Sequence, residues 1–166
     1  YSNILTKAPA GDNSMDWNFA IELWNWRGGM EIYDNVIFGG IDVLGGSSKG
    51  PYAFQADIHH NTIGYTSLQV YNTAATNGGI YIEEDNTGPL YIHHNLFRNV
   101  GTPFQMYPDF GTHTNNTYIY DNIFSNIGTA TGNGWSVLMA CASSPREDGI
   151  TTNPTIDNFN FINNTV

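Results

Sequence analysis

Three carboxylates stand out by their setting. Glu22 lies in Ala20-Ile21-Glu22-Leu23-Trp24, Asp42 in Gly40-Ile41-Asp42-Val43-Leu44, and Glu83 in Gly79-Ile80-Tyr81-Ile82-Glu83. Each segment alternates apolar and polar residues, the period of a strand with one buried face. Ile21, Leu23, Ile41, Val43, Ile80, Ile82, Phe104 and Met106 then face a core, and Glu22, Trp24, Asp42, Leu44, Tyr81, Glu83, Gln105 and Tyr107 face outward. If consecutive strands are neighbours in one parallel sheet, Glu22 and Asp42 take equivalent outward positions with carboxyls roughly 5 Å apart. Two carboxyls that close cannot both ionise freely, so one retains a proton and the pair can serve as acid and base. A separation of about 5–5.5 Å is the one used to cleave a glycosidic bond with retention. Glu83 falls one strand further and two residues along, roughly 8 Å from Asp42, a separation that suits an inverting pair. The plain alternative is that these carboxylates are only solvated.

Other side chains could complete such a site. Trp24, Tyr81 and Tyr107 share the outward row with Gln105, and Trp26, Tyr52 and Phe110 fall in adjoining loops. Flat rings with a polar handle are platforms for the C–H faces of sugars, although they can equally pack against long loops. His113, in a long loop near Tyr107 and Asp109, is the histidine best placed for function. Glu83-Glu84-Asp85 is the best stretch for calcium, a hard cation that takes carboxylates and loop carbonyls; no cofactor is required otherwise. Arg27 and Lys49 are placed to neutralise a uronate in a lyase reaction. His59 and His93 point outward from a different strand, where two stacked imidazoles can hold a transition metal or simply belong to a turn. Cys141, in Ala140-Cys141-Ala142, reads as a small packed residue with no partner for a disulfide.

The elements that position these residues come from a repeat. Glu31-Ile32-Tyr33-Asp34-Asn35-Val36-Ile37, Asp57-Ile58-His59-His60-Asn61-Thr62-Ile63, Tyr91-Ile92-His93-His94-Asn95-Leu96-Phe97, Tyr118-Ile119-Tyr120-Asp121-Asn122-Ile123-Phe124 and Asn160-Phe161-Ile162-Asn163-Asn164-Thr165-Val166 share one pattern, and Asn3-Ile4-Leu5 is the tail of another copy. The pattern is an apolar residue, two variable ones, Asn, a variable one, and an apolar one. Each segment is too short and too rich in β-branched and aromatic residues for a helix. The asparagines at 3, 35, 61, 95, 122 and 164 are unequally spaced, which suits a fixed wall of short strands with loops of variable length. Asn tolerates the left-handed angles of a sharp bend, and stacked amides can hydrogen-bond from level to level.

These segments resemble the right-handed parallel β-helix superfamily, the pectate-lyase-like proteins, over nearly the whole chain. Ile-His-His-Asn-Thr-Ile and Ile-Tyr-Asp-Asn-Ile-Phe look like that family's second strand, Asn-bearing turn and third strand. The resemblance implies an all-β, single-stranded right-handed parallel β-helix, a solenoid of about five rungs with long loops. The alternating strands would be its first sheet, and 25–29, 45–55, 84–90, 108–117 and 140–157 the loops following it. Residues 1–166 would be one domain lacking its terminal caps, an excerpt of a longer protein. Family members commonly bind or cleave polysaccharides over the first sheet. The polygalacturonase signature and the pectate-lyase pattern of calcium and arginine are not found.

Composition narrows the partners. Five Lys and Arg stand against 15 Asp and Glu, a formal net charge of −10. A nucleic-acid partner needs a basic face, and an anionic glycan or membrane would be repelled. No apolar stretch reaches the roughly 18 residues of a membrane span. Low Lys, many Asn, Gly, Thr and Tyr, and the sequons Asn115-Asn116-Thr117 and Asn163-Asn164-Thr165 point to a secreted or cell-surface protein. The expectation is a secreted polysaccharide-acting protein, foremost a glycoside hydrolase using Glu22 and Asp42 on a neutral glycan. The alternatives are a non-catalytic adhesive, fibre or surface-layer β-helix with end-to-end self-association, and a polysaccharide lyase.

Overall fold

The computed structural model describes residues 2–6, 19–24, 28–44, 54–65, 79–83, 89–107, 113–128, 138–140 and 155–166, with the backbone but not the side chains of Trp24, Leu44, Phe54, Glu83, Tyr107, 113–115, 138–140 and 155–157. Among them every regular element is a strand. In chain order these are β1 (Ile4–Thr6), β2 (Ile21–Trp24), β3 (Gly28–Tyr33), β4 (Val36–Phe38) and β5 (Ile41–Leu44). Then come β6 (Phe54–His59), β7 (Thr62–Gly64), β8 (Ile80–Glu83), β9 (Leu90–His93) and β10 (Leu96–Arg98). The last are β11 (Phe104–Tyr107), β12 (His113–Tyr120), β13 (Ile123–Ser125), β14 (Leu138–Ala140) and β15 (Thr155–Ile162).

The strands form three five-stranded sheets in which each strand pairs with the one three places along the chain. The first sheet runs β2-β5-β8-β11-β14, the second β3-β6-β9-β12-β15, and the third β1-β4-β7-β10-β13, and every pairing is parallel. The chain thus visits the three sheets in rotation, an arrangement compatible with a parallel β-helix. The strands of the second sheet reach back into stretches expected as loops: residues 28–29, 54–55, 90, 113–117 and 155–157 are strand. Parallel pairing there continues wherever the neighbouring level offers a partner, as Gly28 does for Phe54 and His113 for Thr155.

Inward residues meet their own kind at each level. Ile41, Ile80 and Phe104 line up in the first sheet, Ile32, Ile58, Ile92 and Ile119 in the second, and Ile37, Ile63, Phe97 and Phe124 in the third. All of these belong to one buried cluster. Phe97 and Phe104, from two different sheets, meet edge to face at 4.9 Å, and Phe97 stacks on Phe124 at 5.2 Å. Each fully buried aliphatic or aromatic side chain contributes about 1.5–3 kcal/mol.

The asparagines form a continuous column between the second and third sheets. Asn3 Nδ2 donates to Asn35 Oδ1 at 3.1 Å. The backbone N–H and Nδ2 of Asn35 both donate to Asn61 Oδ1, those of Asn61 to Asn95 Oδ1, those of Asn95 to Asn122 Oδ1, and those of Asn122 to Asn164 Oδ1, all at 3.0–3.2 Å. The same amides reach back to carbonyls of the preceding level: Asn61 to Ile32, Asn95 to Ile58, Asn122 to Ile92 and Asn164 to Ile119. Asn61, Asn95 and Asn122 are all at most 2% exposed. The left-handed bend, expected at the Asn, is made one residue earlier. Asp34, His60, His94, Asp121 and Asn163 carry φ of 52–56°. The ladder Asn itself is held by its amide bonds on both sides.

Two predictions follow from this packing. Asn95→Asp keeps the shape but cannot donate, and sets oxygen against Ile58 O and Asn122 Oδ1; chemical denaturation should show a loss of about 3 kcal/mol, against less than about 1 kcal/mol for Asn126→Asp on the exposed turn. Gly64 has φ +131°, and a Cβ there would overlap the Arg98 carbonyl oxygen. Gly64→Ala should cost at least about 2 kcal/mol, whereas Gly29→Ala, with open space around it, should stay within about 0.5 kcal/mol of wild type in the same assay.

Candidate functional site

In the first sheet the register sets Glu22 beside Asp42, Asp42 beside Tyr81, Tyr81 beside Gln105, and Gln105 beside Met139. Two residues further along, Trp24, Leu44, Glu83 and Tyr107 are in register in the backbone. The two carboxylates therefore stand on adjacent strands, about 4.8 Å apart in backbone, and Glu83 is one strand and two residues from Asp42. Their surroundings differ: Glu22 is exposed, whereas Asp42 is 4% exposed.

The openness expected of this row is not observed along its middle. Tyr81 and Gln105 are each 6% exposed, and the Phe19 ring stacks on Tyr81 at 5.9 Å. Tyr81 therefore has one ring face covered by Phe19. The side chains of Trp24, Glu83 and Tyr107 lie outside the described residues, as do Trp26, Glu84 and Asp85 entirely. His113, expected in a loop, opens β12 beside Thr155; its side chain is likewise outside the described residues. Among the described residues no three His, Cys, Asp or Glu side chains converge as a metal site.

Among the described residues, a dense polar constellation sits on the outer face of the second sheet. Glu31, Asp57, Tyr91 and Tyr118 form one row, Tyr33, His59, His93 and Tyr120 the next. Beside these run the bend residues Asp34, His60, His94 and Asp121. Rings stack level on level: Tyr33 on His59 at 5.3 Å, His59 on His93 at 5.1 Å, His93 on Tyr120 at 4.7 Å, and His60 on His94 at 5.1 Å. His59 Nε2 lies 3.0 Å from Glu31 Oε1, and His93 Nε2 lies 2.9 Å from Asp57 Oδ1. Within each level the two histidines join Nδ1 to Nδ1 at 2.8 Å. Glu31 and Asp57 also line an open depression of about 370 Å³ with Gly29, Met30 and Gln55.

Burial holds the His93 imidazole below its ordinary value of 6.5; the Asp57 carboxylate opposes this, and the neighbouring His59 and His94 add to the lowering. Burial likewise raises the Tyr120 hydroxyl above 10.0, helped by Asp57, Asp121 and Tyr91. Sequence reasoning placed His59 and His93 one level apart and outward but did not single out Glu31, Asp57, His60 or His94 as partners. The signal was present: Glu31 and Asp57 both stand four residues before a ladder Asn, and His60 and His94 immediately before one.

Comparison with known proteins finds no matching family model, curated protein or solved structure.

The lowered His93 value fixes a pH dependence. The unfolded chain takes up this proton near pH 6.5 and the folded one only below that, so the unfolded state binds more protons in between. Stability is full above about 6.5 and declines as the pH falls through that value. Thermal midpoints should drop between pH 7.5 and 5.5, and His93→Gln should flatten that limb. A midpoint that rises on acidification contradicts the assignment.

Proposed function

We propose that the chain is a right-handed parallel β-helix of the pectate-lyase-like type, a solenoid of about five rungs. We take it to be secreted or held at the cell surface and to act on a neutral polysaccharide as a glycoside hydrolase. The observation that carries this reading is the pairing of Glu22 with Asp42 on adjacent strands in unlike surroundings, one exposed and one buried. Unlike environments are what divide two carboxyls between the roles of acid and of base or nucleophile. Asp42 is the one shielded from water and is assigned as the acid; Glu22, in solvent, is the nucleophile or base. Trp24, Trp26 and Tyr107 are the sugar platforms on this reading, with His113 beside them. Glu83 serves as a third carboxylate, and Glu83, Glu84 and Asp85 leave room for calcium without requiring it. The acidic balance supports a neutral glycan over an anionic one, and weighs against a lyase.

The burial of Asp42, Tyr81 and Gln105 favours a second reading, a non-catalytic β-helix that binds glycans or builds a fibre or surface layer. A glycan array combined with a hydrolysis screen separates the two. For the hydrolase, Glu22→Gln and Asp42→Asn should each lower kcat by about 10²–10⁴-fold while leaving glycan binding in place. Wild-type protein that binds a glycan and cleaves none establishes the second reading instead.

A further inference from the structure

Each level of the histidine corner holds one hydrogen between two nitrogens. His59 Nδ1 lies 2.8 Å from His60 Nδ1, and His93 Nδ1 lies 2.8 Å from His94 Nδ1. Such a contact needs a hydrogen on one nitrogen and a lone pair on the other. The carboxylates decide which. Ionised Glu31 and Asp57 only accept, so the facing Nε2 atoms of His59 and His93 carry hydrogen. With all rings neutral, the Nδ1 atoms of His59 and His93 are then bare, and His60 and His94 donate to them. Two protons added to one pair have different consequences. The first goes to the Nε2 of the outer ring, His60 or His94, both exposed, and the contact persists. The second has no site left but the Nδ1 lone pair of His59 or His93. Taking it sets two N–H groups against each other, and the contact is lost.

We propose that the two pairs form an acid-released latch on the bends between the second and third sheets. Closed, the latch holds the exposed rings of His60 and His94 edge-on against His59 and His93, with centroids 5.0 Å apart in each pair. Opened by the second proton, it lets these two rings swing into solvent. The two levels are coupled, because His59 lies over His93 and His60 over His94 at 5.1 Å each, and like charges at that spacing repel. The groups facing the four rings are Glu31 and Tyr33 on β3, Asp57 on β6, Tyr120 on β12, and Asp34 and Asp121 in the neighbouring bends. Four carboxylates thus meet four imidazoles, so full protonation of the rings takes this corner from acidic to neutral. Asp121 Oδ2, 4.0 Å from His94 Nε2, gives that ring an ionic partner once it is released. Asp34 stands one level before His60 in the same column. Burial of His93 and the nearby His59 and His94 both act against a proton on its ring, which favours opening over a cation held in place. The ladder amides behind do not titrate, so the wall keeps its register while the latch opens. The latch lies on a different sheet from Glu22 and Asp42 and is independent of the proposed hydrolase.

The test is imidazole ¹⁵N NMR on the tag-free full chain, titrated from about pH 8 to 4.5 well below its thermal midpoint. At pH 7.5 a coupling across the N–H···N bond should join the Nδ1 atoms of His59 and His60, and those of His93 and His94. On acidification the Nε2 signals of His60 and His94 should move first, with the couplings intact. The Nδ1 signals of His59 and His93 should move in a later stage, and the couplings should vanish with them. The side-chain amide signals of Asn61, Asn95 and Asn122 should stay in place throughout. His94→Asn keeps a residue at ease with positive φ, as Asn163 is in the same column. It frees the His93 Nδ1, so His93 should take its proton at a pH nearer 6.5 than in wild type, in a single stage. Four results would overturn the latch: no coupling at pH 7.5, couplings that survive full protonation, all four rings titrating together in one stage, or ladder amides that shift along with the rings. The last would mean that acid unfolds the wall rather than opening the bend.

Discussion

The amide of the ladder asparagine is the constraint on which the rest of the structure depends. Its oxygen receives two N–H groups from one neighbouring level, and its nitrogen returns to a carbonyl and an amide on other levels. The backbone carbonyls of Asn3, Asn35, Asn61 and Asn95 accept from the third-sheet residues Val36, Thr62, Leu96 and Ile123, and that of Asn122 from Thr165, at 2.9 Å each. A buried amide so used leaves no polar group unsatisfied, and replacing it by any other side chain strands several at once. The column therefore fixes register between levels as well as adding stability. A one-residue slip would carry every Ile of the second sheet to the solvent side.

Fixing the register in one column determines what lies above what everywhere else. The intervals between ladder asparagines are 32, 26, 34, 27 and 42 residues. Chain length between levels is thus free while the wall is not. That freedom is why residues distant in sequence become lateral neighbours: Glu22 with Asp42, Glu31 with Asp57, and His60 with His94. Chemistry on such a scaffold takes the form of columns, because whatever a level presents outward is set about 4.8 Å from its counterpart on the next.

The same rule has opposite results on two faces. On the first sheet the outward row of Asp42, Tyr81 and Gln105 is packed over. On the second sheet the outward rows stay accessible, and their rings stack on one another. Stacking sets the rings face to face, and the ring nitrogens of His59 and His93 meet neighbouring side chains at their edges. Carboxylates of the neighbouring outward row, Glu31 and Asp57, meet the Nε2 atoms of His59 and His93. The polarity of the corner is a consequence of both directions of contact, along a strand and between strands.

Much of this was legible in the residues. The recurring Asn and its flanking apolar positions determined the parallel pairing, the inward columns and the vertical alignment of Glu22 with Asp42, because a repeat that buries one face can be stacked in only one register. The placement of the bend one residue before each Asn was not legible, since Asn is at ease in either position and only the two-sided amide bonding decides between them. Strand length in the second sheet was also hidden: Gly28-Gly29 carries no strand propensity and pairs because Phe54 and Gln55 lie alongside. The burial of Asp42 and Tyr81 depended on tertiary contacts such as that of Phe19, which belongs to no repeat. The partners of His59 and His93 were decided the same way, by carboxylates lying 28 and 36 positions earlier in the chain, at Glu31 and Asp57. Periodicity specifies what is stacked on what; which faces are covered, and which polar groups pair, is decided by groups that meet only once the chain has folded.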